Sequence, residues 1–136
     1  METLVKLYIF LFQFKLYFEI TVIALAASFA EGVTIIKNAE ELRVKESERI
    51  TTTVTFLKSC GVEIHPTKDG MIITGNPDFS LKYGSFSIEM DHRITMTMAI
   101  AGLLSSNGVS ITDGKTANVS YPNFWEQLSK LGGKIE

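Results

Sequence analysis

Two stretches of the chain repeat one order of elements, and that repeat limits the folds open to it. Ile23–Ile35 reads as an apolar helix, a glycine stop and a β-branched strand, and Met98–Ile111 has the same order. Each is followed by a second helical pattern, Ile50, Val54 and Leu57 in the first copy and Phe124, Leu128 and Leu131 in the second. Gly61 and Gly132 stand where a helix C-cap needs positive φ, and Val62-Glu63-Ile64 and Lys134-Ile135 read as strands beyond them. A repeat of roughly 70–75 residues is too long for a solenoid unit and suits a βαβα-type module. The units divide the chain at about residues 19–75 and 76–136.

The first unit adds a hairpin. Val62–His65 and Met71–Thr74 are short strands joined across Pro66–Gly70, where Asp69-Gly70 favours a tight turn. Weaker strand signals lie at Ser80–Lys82 and Ser85–Ile88. The helix expected over Asp91–Ser106 is apolar nearly all round, and the Ala-rich helix near Ile20–Ala30 reads the same way. Helices of that kind are buried on most sides. Buried helices with outer strands make an inside-out α/β arrangement, and α/β (α+β) is the fold class expected.

Residues 1–18 stand apart, dense in aromatic and aliphatic side chains. Lys15 interrupts the apolar run well short of the ~20 residues that span a bilayer, so a membrane anchor is disfavoured and a start foreign to the domain is expected. The formal net charge of −2 argues against a nucleic-acid partner, which requires a strongly basic face. Anion recognition must then come from a few placed cations. Cys60 is the single cysteine, so no intrachain disulfide forms and no cysteine-based metal site is expected; a reducing cytoplasm fits.

The chemistry concentrates in Arg43–Arg49. Ser47 is expected to cap a helix beginning at Glu48, with first-turn donors facing the loop before it. Lys45 and Arg49, four apart, can lean toward one anion there. The alternative is a solvated, charged helix start with Glu46 as an ion-pair partner. Asp91-His92-Arg93 opens the second buried helix: Asp91 can cap it, and Arg93 then sits in the first turn, where a cation opposes the dipole unless an anion compensates. A surface arginine paired with Asp91 or Glu89 is the other reading. His65 and His92 carry no assigned role.

The run Asn38–Ile50, containing Arg-Val-Lys-Glu-Ser at 43–47, resembles the EPSP synthase signature, and Asp91-His92-Arg93-Ile94 with Met96 and Ala99 resembles that family's second motif. Phe29-Ala30-Glu31-Gly32 and Ser120–Phe124 resemble it too, in the same order along the chain. The resemblance covers residues 19–136 and implies a partial inside-out α/β barrel of the enolpyruvyl transferase type: about two units of a C-terminal domain, without the N-terminal one. It implies enolpyruvyl transfer from phosphoenolpyruvate to the 5-hydroxyl of shikimate 3-phosphate, in chorismate and aromatic amino acid biosynthesis, with no cofactor and no metal. By the motif, Lys45 contacts shikimate 3-phosphate and assists proton transfer, and Glu46 exchanges protons at the methylene carbon. Arg49 and Arg93 would grip phosphoenolpyruvate.

A complementing N-terminal domain or self-association would follow from the missing parts. A related family uses a UDP-N-acetylglucosamine acceptor, but the motifs at 43–47 and 91–93 resemble the shikimate branch. The alternative is a non-catalytic remnant or a weak anion-binding module. Two departures bear on this. Phe18 stands where the family has a catalytic aspartate, and Glu19, one residue on, is expected to face elsewhere. Val119 stands where many members have a phosphoenolpyruvate-binding lysine, with Lys115 too far upstream to replace it.

Overall fold

A computed structural model describes residues 6–10, 19–86 and 91–136. Its elements run β1 (Lys6–Phe10), α1 (Ile20–Ala27), β2 (Gly32–Lys37), a 3-10 helix (Glu40–Val44), α2 (Arg49–Ser59), β3 (Glu63–Thr67) and β4 (Gly70–Gly75). The second half runs β5 (Gly84–Phe86), α3 (His92–Leu104), β6 (Val109–Ile111), a second 3-10 helix (Gly114–Val119) and α4 (Phe124–Lys130). One sheet has the order β1-β2-β4-β3; the other pairs β5 with β6. The fold is mixed α/β.

Each sheet contains a parallel pair joined through a helix. β1 and β2 are parallel, with α1 between them in the chain, and β5 and β6 are parallel with α3 between them. A parallel pair requires such a crossover, and a helix is its usual form. The expected hairpin is present as β3 and β4, antiparallel from Glu63 opposite Thr74 to Thr67 opposite Gly70. Of the weaker signals, Leu81 forms an isolated bridge to Ser105 and Gly84–Phe86 forms β5; residues 87–88 lie outside the described residues.

The large sheet buries one face. Thr34, Ile36, Ile64, Met71 and Ile73 are buried, while Ile35 and Ile72, pointing the other way, are only partly so. Register puts Ile73 opposite both Thr34 and Ile64, and a slip by one residue would expose the whole set. Onto this face pack Ile20, Ala24 and Leu25 of α1 and Ile50, Val54, Phe56 and Leu57 of α2, continuous with Ile94, Met98 and Ala101 of α3. Each fully buried Leu, Ile or Phe side chain is worth about 1.5–3 kcal/mol. α2 also touches β5, so it meets both sheets.

Gly61 at φ +92° and Gly132 at φ +100° end α2 and α4 as expected. The strand expected at Lys134-Ile135 does not form: residues 133–136 are irregular, with no partner strand among the described residues. The boundary placed at residue 19 falls largely outside the described residues; within 1–18 the described strand β1 pairs in register with β2. No helix among the described residues is long and apolar enough to cross a membrane.

Candidate functional site

The loop between the first 3-10 helix and α2 is held at both ends. Upstream, Arg43 donates from Nε to the Lys68 carbonyl at 3.0 Å and from Nη2 to the Thr67 carbonyl at 2.6 Å. The hairpin turn itself is tied back: Asp69 accepts from the Asn38 N–H through Oδ2 at 2.9 Å, and its carbonyl accepts from the Ala39 N–H at 2.7 Å. Asn38 takes φ +57°, a left-handed position that asparagine tolerates better than most residues. The backbone N–H of Asn38 is the main reason that the Asp69 carboxyl lies below its usual range.

Downstream, the loop is closed by a buried ion pair. Arg49 and Asp91 are both 0% exposed, and Arg49 Nε donates to Asp91 Oδ2 at 2.9 Å. Ser47 Oγ donates to the same oxygen at 2.5 Å. The other oxygen, Oδ1, caps α3 by accepting from the N–H groups of Arg93 (3.1 Å) and Ile94 (3.3 Å). Burial by itself pushes the Asp91 carboxyl up. The hydrogen bonds from Arg49 and Ser47, the Arg49 charge and the Ile94 N–H outweigh it and hold the group below the usual carboxylate range.

Two expectations change here. Ser47 is not the N-cap of α2, because its hydroxyl is drawn off to Asp91; the cap is Glu48, whose Oε2 accepts from the Thr51 N–H at 3.0 Å. Nor do Lys45 and Arg49 share one direction. The four-residue spacing brings side chains together only along a helix, and Lys45 is in extended backbone before α2 begins. Lys45 Nζ lies 3.7 Å from Glu41 Oε2 with its side chain 28% exposed, whereas Arg49 turns into the core. Asp91 caps α3 as expected, but its charge partner is Arg49 rather than Arg93.

Arg49 Nη2 donates to Glu46 Oε2 at 2.6 Å, and Glu46 is 45% exposed. The buried guanidinium thus runs from Asp91 in the core to Glu46 at the surface. Its Nη1 has no hydrogen-bond partner among the described residues. Arg93 lines a cleft with Glu19, Thr21, Val22, Met96, Thr97 and Ile100, at the start of α1 and along α3. Below it the Thr21 and Thr97 hydroxyls bond at 2.8 Å and join the two helices. Glu19, the N-cap residue of α1, lines the cleft together with Arg93. Phe18 lies outside the described residues, and Val119 is 75% exposed.

The starts of α1 and α3 thus share one cleft, and the start of α2 is bonded to the α3 cap. Among the described residues no group of His, Cys, Asp and Glu is placed to hold a metal ion. Sequence reasoning missed Asp91 as the shared acceptor of Arg49 and Ser47; the signal was polar side chains in motifs already singled out, with no indication of which neighbour each would find.

Fold and site define a mixed α/β unit whose charged side chains gather at the starts of α2 and α3. Residues 15–128 match the family model described as EPSP synthase (3-phosphoshikimate 1-carboxyvinyltransferase), and the chain belongs to the EPSP synthase family. It is 48% identical over 113 residues to the 3-phosphoshikimate 1-carboxyvinyltransferase of Thermotoga sp. (strain RQ2), covering 83% of this chain and 26% of that protein. The corresponding protein of Bacillus cereus (strain ATCC 10987 / NRS 248) is 50% identical over the same shares. Among solved structures, an EPSP synthase from Acinetobacter baumannii superposes with a TM-score of 0.83 at 38% identity, covering 89% of this chain and 28% of that one. The chain spans about a quarter of the length of the curated relatives it matches.

Proposed function

We propose that this chain is the C-terminal part of a 3-phosphoshikimate 1-carboxyvinyltransferase and supplies one wall of its active site. In this reading residues 19–136 form about two units of an inside-out α/β barrel, divided near residue 75. A separate N-terminal domain, with its own cations, closes over the substrates. The enzyme would act in the cytoplasm, in the route to chorismate and the aromatic amino acids. The observation that carries the reading is the arginine pair at the helix starts: Arg49 keeps a buried Nη1 that has no partner among the described residues, and Arg93 lines the cleft at the start of α3.

The reaction is an addition followed by an elimination. An acid protonates the methylene carbon of phosphoenolpyruvate while the 5-hydroxyl of shikimate 3-phosphate attacks the adjacent carbon and gives up its own proton to a base. Phosphate then leaves, a proton returns from the methyl group to a base, and the enol ether forms. Both substrates are polyanions, so fixed cations lower the cost of bringing them together. Arg49 and Arg93 would take the phosphate or carboxylate of phosphoenolpyruvate, for which a planar guanidinium is suited. Lys45, on the half-exposed loop, would reach shikimate 3-phosphate. Glu46 would exchange the methylene proton: one oxygen is held by Arg49 at 2.6 Å, and the other has no partner among the described residues.

Leu103, Leu104, Leu131 and Ile135 are exposed near one end of α3 and α4, and self-association through them is part of the same proposal. The test is complementation. The chain is mixed with the separately produced N-terminal domain of the Bacillus cereus relative, and phosphate release is followed. Release that needs both substrates, and falls at least about a hundredfold in Glu46→Gln, supports the assignment. A silent mixture, with each half folded and the relative's own two halves active together, overturns it.

A further inference from the structure

Asp91 does more than cap a helix. Capping uses Oδ1 alone, through the N–H groups of Arg93 and Ile94, and a serine or asparagine would serve that purpose about as well. A buried carboxylate also carries a desolvation cost that a neutral cap avoids. That cost is met at Oδ2, which accepts from Ser47 Oγ at 2.5 Å and Arg49 Nε at 2.9 Å. Two acceptors on two sides, Asp91 at Nε and Glu46 at Nη2, fix the plane of the Arg49 guanidinium, and Nη1 is left without a partner among the described residues. A buried donor without an acceptor is unfavourable and calls for an oxygen from elsewhere. The same Asp91 sets the first turn of α3, and so the backbone from which Arg93 projects.

We infer that Asp91 is a positioning residue: its one carboxylate fixes the Arg49 guanidinium and the start of α3, from which Arg93 projects, in a single arrangement before a phosphate- or carboxylate-bearing ligand arrives. Ser47 acts through Asp91, its hydroxyl holding Oδ2 in the direction that Arg49 requires. The inference rests on the transferase reading above and assigns these two residues a part in it. Preorganisation of this kind raises affinity because the cost of ordering the site is met on folding.

The test uses the full chain and three variants, with phosphoenolpyruvate as the probe and the Arg49 Nε–H signal followed by nitrogen-15 NMR. In the unsubstituted chain that signal should be sharp, downfield and slow to exchange. Ser47→Ala, which leaves the core packing intact, should broaden it and weaken phosphoenolpyruvate binding about tenfold, the worth of one hydrogen bond to a charged group. Ser47→Thr should restore both to within about threefold, because the hydroxyl returns. Asp91→Asn should lose the signal and weaken binding further, measured on the folded fraction. Unchanged affinity in Ser47→Ala with the Arg49 signal undisturbed overturns the positioning role alone. No binding by the folded, unsubstituted chain overturns that role together with the anion site it serves.

Discussion

Replacing Asp91 by asparagine tests the energetics of the site's centre. Asparagine keeps the shape and can keep the cap on α3, so the change isolates the charge facing Arg49. Arg49 is 0% exposed, and its remaining counter-charge, Glu46, is 45% exposed and screened by water. Breaking a buried pair by neutralising one partner costs about 3–5 kcal/mol, because the other charge stays buried without compensation. Against a total stability of about 5–15 kcal/mol for an ordinary domain, that is a large share. Arg49→Met should cost about the same by exposing the complementary fault at Asp91. The double variant should then cost much less than the sum, with a coupling of at least about 2 kcal/mol. Urea unfolding of the four proteins, read from midpoints and slopes, gives the cycle directly. Additivity within about 0.5 kcal/mol would refute the claim that this pair acts as a unit.

Acid should destabilise the fold through two carboxylates. Asp91 and Asp69 both have folded pKa values below the ordinary 3.8, so the stability they supply is complete above that value and is lost as pH falls through the folded values. Urea midpoints should therefore drop mainly below about pH 4, and less steeply in Asp69→Asn. Gly75→Ala would place a methyl 2.1 Å from the Ala30 carbonyl oxygen and 2.3 Å from that of Ala27, which backbone cannot yield to. Thermal melting should show a loss of about 1–3 kcal/mol or more. Charges introduced by Leu104→Glu and Leu131→Lys should shift sedimentation toward monomer if the exposed leucines mediate self-association; an unchanged profile rules that surface out.

Local signals carried most of the fold. Short strand runs and Asp69-Gly70 marked the β3–β4 hairpin, glycines marked the ends of α2 and α4, and apolar density marked α1 and α3. Strand β1 was hidden because Met1–Phe18 is apolar almost throughout, and such a run shows neither helical nor strand period. Lys134-Ile135 had strand residues but no partner, and β propensity needs a neighbouring strand to act. The site was legible in its residues and not in its pairings. Arg49 and Asp91 are 42 positions apart, and only the packing of α2 on α3 makes them neighbours. Once Asp91 takes the Ser47 hydroxyl, the α2 cap passes to Glu48, a consequence no local pattern contains.

The most direct test of the anion site is a calorimetric titration of the purified chain with shikimate 3-phosphate, with and without phosphoenolpyruvate, beside Lys45→Ala. Binding that strengthens with the second ligand and is lost in the variant is the predicted result. No heat from a folded sample, or equal binding by Lys45→Ala, would contradict the account.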